Sequence, residues 1–171
     1  CYRDMGYPTN AAASFEKSDD VYFLHPSVLL YAERSYLDAG NFFKAEDISD
    51  RMFERKYDEN YYRFLWSDRG RIYLRANEPD KAIEAFQKGL DAGIDLCGAY
   101  CGLAVAHLMK RNVPLSRSYV EKAALSGGIA SQEGFYVYYG EVARSLGLFE
   151  EVRDMVMKED GDEDEEADDL S

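Results

Sequence analysis

Apolar positions recur at intervals of three and four residues along most of this chain, the spacing of helices that bury one face. The clearest stretch is Trp66 to Leu90, WSDRGRIYLRANEPDKAIEAFQKGL. Its first half places Trp66, Gly70 and Tyr73 on one face. Its second half opens at Pro79, which lacks the N–H that a helix start leaves unpaired, and continues with Ala82, Phe86 and Leu90. Only Ala76, Asn77 and Glu78 lie between, so the stretch predicts two packed helices joined by a tight turn. Before it, the pattern predicts a helix from Pro26 with Val28, Leu29, Ala32, Tyr36 and Leu37, a turn at Asp38 to Asn41, and a helix from about Phe42 with Ala45, Ile48, Met52 and Phe53. After it, a helix starts near Asp95 with Tyr100, Leu103, Ala104 and His107, and a break at Arg111 to Val113 precedes a restart at Pro114 with Ser116, Val120 and Ala123. Tyr136, Tyr139, Gly140 and Ala143 mark a helix from about Ser131, and Phe149, Val152 and Val156 mark the last. No alternating strand pattern of useful length interrupts the series.

The predicted helix pairs are in register. Leu29, Trp66, Tyr100 and Tyr136 are 37, 34 and 36 residues apart. The same steps connect Glu33, Gly70, Ala104 and Gly140, and again Ala45, Ala82, Ser116 and Val152. A repeat of this period predicts helical hairpins that each bury an apolar face on the next. With Trp66, Gly70, Tyr73, Ala82, Phe86 and Gly89-Leu90 in its best-matching copy, the chain resembles the tetratricopeptide repeat family over about residues 26 to 160. The first copy matches at Tyr36, Gly40, Phe42 and Ala45, but Glu33 stands where the family has a small residue. Ser116 and Val152 replace the usual alanine, and Arg111 replaces the turn glycine. The resemblance implies an all-α, right-handed superhelical solenoid of antiparallel helix pairs. About four hairpins are expected, at about 26–59, 63–96, 97–130 and 133–158, after an N-terminal extension or tether over 1–25 and before an acidic disordered tail at 159–171.

Composition sharpens this picture. The net charge is −13, yet Glu159 to Ser171 holds nine of the 33 acids and none of the 20 bases, so the remainder carries only −4. Neither part has the basic face that a nucleic-acid binder needs. No apolar run approaches a membrane span. Three cysteines are too few for a disulfide scaffold. The acidic tail repels itself and is expected to stay extended, either as a solubilising terminus or as a segment that competes for an arginine-bearing groove.

The family resemblance implies a groove lined by the first helix of each pair, where a peptide or protein partner binds. The positions off the packing stripe are Ser27, Leu30, Arg34 and Leu37, then Phe64, Ser67, Arg71, Leu74 and Arg75. Further on they are Cys101, Val105, Leu108 and Met109, then Val137, Glu141 and Arg144. Arginine offers a planar fork of donors to a carboxylate, so an acidic or carboxylate-bearing partner is expected there. The lysine and asparagine set by which some family members clamp a chaperone tail is not present.

Enzymatic chemistry finds little support, and no cofactor or metal is expected. His25 precedes a proline in a turn, and His107 replaces a stripe tyrosine, so packing accounts for both better than catalysis does. Cys97 and Cys101 share a helix face without a third ligand nearby. There is no phosphate loop, nucleophile elbow or zinc-protease motif. The crowded FYVYY at 135–139 exceeds what one stripe buries, so exposed aromatics are expected there. The chain therefore reads as a noncatalytic scaffold, with a regulatory or accessory enzyme subunit as a further class. Two settings fit. Cys1 is what a bacterial lipoprotein retains after signal cleavage, which would make it the lipid attachment point of an envelope component, the only membrane contact expected. A domain boundary or cloning remnant explains Cys1 without any lipid. The length and acidity also resemble the tetratricopeptide chaperones that hold type III secretion translocators in the cytoplasm.

Overall fold

Among the described residues, four turns between helices share one geometry. The protein is described by a computed structural model covering residues 10, 12–15, 17, 26–55, 59–93, 96–126 and 134–156, with the side chains of 26 and 59–64 outside that description. Its helices are α1 (Pro26–Asp38), α2 (Phe42–Glu54), α3 (Glu59–Arg75), α4 (Pro79–Asp91), α5 (Leu96–Met109), α6 (Val113–Leu125), α7 (Phe135–Leu146) and α8 (Phe149–Val156). Residues 12–15 are also helical, and no strand occurs among the described residues.

Within each hairpin the first helix ends on a residue in the left-handed conformation: Gly40 at φ 71°, Asn77 at 61°, Arg111 at 59° and Gly147 at 71°. These residues are spaced by the same 37, 34 and 36 as the sequence register. The next N–H in each case turns back to a carbonyl five residues earlier. Asn41 bonds Tyr36 at 2.9 Å, Glu78 bonds Tyr73 at 2.8 Å, Asn112 bonds His107 at 2.9 Å and Leu148 bonds Ala143 at 2.8 Å. This bond satisfies a carbonyl that the helix end leaves unpaired. Glycine adopts the conformation freely, whereas Arg111 holds it against its own β-carbon. The second helices of two hairpins are then capped by asparagine. Asn41 Oδ1 accepts from the Lys44 N–H at 3.2 Å, and Asn112 Oδ1 from the Leu115 N–H at 3.3 Å. The cap places the start of α6 at Val113, one residue before the proline at which a restart was expected.

The chain divides into two compact units, Cys1–Asp95 and Leu96–Ser171. In the first, α1 packs on α2 and α3 on α4, while α2 and α1 both touch α3. Its core gathers Leu29, Tyr36, Ala45, Ile48, Met52, Leu65 and Ile72, joined by Ala12. In the second, α5 packs on α6 and α7 on α8, with α5 against α7 and α6 against α8. Leu103, Val120, Ala123, Tyr139, Ala143 and Val152 are buried there.

Equivalent positions perform equivalent packing. Ala45, Ala82, Ser116 and Val152 are all fully buried. A β-carbon added at Gly70 would lie 2.5 to 2.7 Å from three atoms of the Phe86 ring, so that ring fills the space a side chain would need. At Gly140 the corresponding partner Val156 is 3.5 Å away, also sixteen residues later. Ser116 satisfies its buried hydroxyl by donating to the Ala104 carbonyl at 2.7 Å, which leaves the Tyr139 hydroxyl to donate to it at 2.7 Å. Arg117 ties α8 to α6 through both oxygens of Asp154, at 2.8 and 2.9 Å. Trp66 is half-buried and not a core member. Its ring tilts against Phe53 at 4.6 Å, with the Lys88 ammonium 5.1 Å from its centre.

Candidate functional site

Glu33 breaks its series. Gly70, Ala104 and Gly140 are small because another helix lies close to them, whereas Glu33 carries a carboxyl into the same kind of position and is 1% exposed. The residue sixteen further on, where the second hairpin has Phe86, is the buried Ser49. The first hairpin thus inverts the large and small partners of the second. The inversion keeps volume but brings an ionisable group inside, and such a group must be neutralised or paired.

The surroundings favour the first. Burial first, and then the charge of Asp68, push the Glu33 carboxyl well above the ordinary carboxylate range, against the opposing pull of Arg34, Arg69 and Arg71. Asp68, itself buried on α3, accepts from Arg34 at 3.4 Å through Oδ2 and from Arg71 at 3.2 Å through Oδ1. Arg69 donates its Nε–H to Ser49 Oγ at 3.3 Å, pairs with Asp50 and lies over the Phe53 ring at 4.4 Å. Beside this cluster the Tyr73 hydroxyl donates to Glu46 at 2.8 Å, and burial together with that bond pushes the phenol up to about 12. The result is a mixed-charge face shared by α1, α2 and α3. Two guanidinium groups, with side chains 46% and 48% exposed, are held side by side on one carboxylate that is only 7% exposed.

The expected groove residues have different fates. Arg34 and Arg71, one repeat apart, are brought together, and each is already joined to Asp68 by a single nitrogen instead of standing as an open fork. Arg75 is exposed in the last turn of α3. Leu30 is half-buried against the core of the first unit. Ser67 was expected on the open face but is buried, because α3 turns that position inward beside Asp68. The same correction applies to Cys101, Val105 and Leu108. All three are buried because α5 is apolar on nearly every side and packs against both α6 and α7. Glu141 and Arg144 are exposed on α7, and the Arg144 guanidinium lies 4.1 Å from the centre of the Phe149 ring. In FYVYY, Phe135 and Tyr139 are buried, Tyr136 and Tyr138 are half-buried, and the exposed member is Val137. The Phe64 side chain, Cys1, His25 and the acidic tail lie outside the described residues.

His107 stacks parallel to Tyr119 at 5.4 Å, and burial, then Lys110, hold it below the ordinary imidazole range. Cys97 and Cys101 are buried, and neither is in a disulfide. Among the described residues, no cluster of three or more His, Cys, Asp or Glu side chains is placed to hold a metal ion, and no helix is long and apolar enough to cross a membrane.

Sequence reasoning missed Asp68 and Arg69 and treated Glu33 only as a departure from the family pattern. The available signal was the run Asp68-Arg69-Gly70-Arg71, a charged stretch inside the strongest packing hairpin. Compared with known proteins, the chain matches no family model, and no curated protein matches it.

Proposed function

We propose that this chain is a noncatalytic protein-interaction scaffold of the tetratricopeptide repeat type, its hairpins stacked as a right-handed superhelical solenoid. In this reading an acidic or carboxylate-bearing segment of a partner binds the face carrying Arg34, Arg71 and Arg75. The observation that supports it is the convergence of Arg34 and Arg71, equivalent residues of successive hairpins, on the single carboxylate of Asp68. One nitrogen of each guanidinium is engaged there, and the other donors of each half-exposed fork are oriented by that contact. Holding two such forks in place lowers the ordering cost of binding. A fluorescein-labelled hexa-aspartate peptide, titrated into the full chain and followed by anisotropy, tests the reading. Arg34→Ala and Arg71→Ala are each expected to weaken binding about tenfold, and added salt to weaken the wild type further. Equal binding of a hexa-asparagine control, or unchanged affinity in both variants, would refute it.

A further inference from the structure

We propose that the carboxyl of Glu33, enclosed beneath the Arg34–Asp68–Arg71 cluster, sets the charge that this face presents to an acidic partner, so that capture of the partner is accompanied by proton uptake. The inference rests on the reading of that face as an acidic-partner site.

Three observations carry it. Glu33 Oε2 is fully buried and has no hydrogen-bond partner among the described residues. A carboxylate oxygen left in that state is costly, and a carboxylic acid is far less so. Second, the groups facing Glu33 come from every packed element: Arg34 from α1, and Asp68, Arg69 and Arg71 from α3. From α2, Ser49 and Asp50 reach the cluster through Arg69. The helical residues 12–15 bear no ionisable side chain. The charges acting on Glu33 are three arginines and Asp68, and the nearby acids of α2 are Asp50 on Arg69 and Glu46 on Tyr73. Ionising Glu33 adds one negative charge next to Arg34 and Arg71. Third, the carboxyl is held in the neutral form by burial and by Asp68, so its proton is retained well into the pH range where exposed carboxylates have lost theirs.

The linkage has a definite sign. An anion resting on Arg34 and Arg71 is repelled by an ionised Glu33 and not by a neutral one, so it binds the protonated form more tightly. By reciprocity, its arrival raises the proton affinity of Glu33. Binding is then tightest at low pH and weakens as Glu33 ionises.

Isothermal titration calorimetry of the full chain with hexa-aspartate, from pH 5.5 to 9 in pairs of buffers differing in ionisation enthalpy, measures both affinity and protons taken up. The probe's own carboxylates stay ionised throughout this range. Wild type is expected to lose about tenfold in affinity across it, the effect of one unit charge at close range in a partly screened site, and to take up a fraction of a proton per peptide in between. Glu33→Gln and Glu33→Ala are expected to bind with flat affinity and no uptake from this site. Glu33→Gln keeps the side-chain volume opposite the small Ser49 and Glu33→Ala removes it, so the two together separate loss of charge from loss of packing. His25 and His107 remain in all three proteins, so the difference isolates Glu33. A wild-type profile that matches those of the variants would overturn the role of Glu33 alone. Absence of peptide binding at every pH would overturn the acidic-partner reading, and this inference with it.

Discussion

Replacing Gly70 with alanine tests the packing of the best-specified hairpin in atomic terms. The new β-carbon would lie 2.5, 2.6 and 2.7 Å from three atoms of the Phe86 ring, well inside van der Waals contact. The ring is 1% exposed and cannot swing into solvent, so α3 and α4 must separate by several tenths of an ångström or more. Overpacking of this kind costs about 1 to 3 kcal/mol. Alanine's better helix propensity returns about 1 kcal/mol in a helix interior. Contacts this short on a buried ring place the cost at the upper end, about 2 to 3 kcal/mol, so a net loss of about 1 to 2 kcal/mol follows, with a Tm lower by roughly 4 to 15 °C if the first unit melts as one body. Trp66 is the only tryptophan and lies in this unit, so its fluorescence during urea or thermal unfolding reads the effect directly. Gly140→Ala is the control. Its nearest neighbours begin at 3.5 Å, and the propensity gain should leave the second unit as stable or about 1 kcal/mol more so by calorimetry. Pairing Gly70→Ala with Phe86→Leu should recover part of the loss. If Gly70→Ala left stability unchanged, or if Phe86→Leu gave no relief, the contact between these two positions would be refuted.

Other substitutions probe the turns, the buried hydroxyl pair and the buried acid. Arg111→Gly should raise stability by about 0.5 to 1 kcal/mol in chemical denaturation, because it relieves a side chain held at φ 59° at a modest cost in unfolded-chain entropy; Gly40→Ala should lower it by about 1 kcal/mol. Ser116→Ala should cost about 1 to 3 kcal/mol, since it strands the Tyr139 hydroxyl inside, and the double variant with Tyr139→Phe should cost less than the two single losses added together. For Glu33 the folded state holds its proton more tightly than the unfolded chain does. Stability is therefore full at acid pH and falls as pH rises from the ordinary carboxylate range through the raised value, by up to about 1.4 kcal/mol per pH unit. Glu33→Ala should remove that slope in urea titrations repeated at several pH values, and identical slopes would contradict the burial of the charge. His107 contributes with the opposite sign, losing stability as pH falls below the ordinary imidazole range, and that contribution should persist in Glu33→Ala.

Much of the helical layout was legible because it depends on local rules. Pro79 opens α4 where its missing N–H predicted, and Gly40 and Gly147 close α1 and α7. Arg111 stands where the resemblance places a turn glycine, and it sits in the left-handed region. The Asn112 cap was missed because an asparagine beside a proline reads equally well as a loop. The face expected to take a partner was less legible. A three-to-four periodicity marks a stripe, but α5 is apolar nearly all round, so no stripe could say that Cys101, Val105 and Leu108 face inward. Trp66 shows the converse. A large ring on the predicted packing face ends half-buried, against Phe53 and under the Lys88 ammonium instead of in the core.

What the sequence determined by itself is the set of helices, their turns and the interval at which hairpins recur, since backbone capping and helical period act over only a few residues. What only tertiary structure decided is how charges distant in sequence neutralise one another. Arg34 and Asp68 meet 34 residues apart, and Arg69 reaches back to Ser49 and Asp50. Those meetings turn a misplaced glutamate in a small-residue position into a buried acid under two held arginines. Desolvation and Coulomb interactions depend on distances in space that no periodicity encodes.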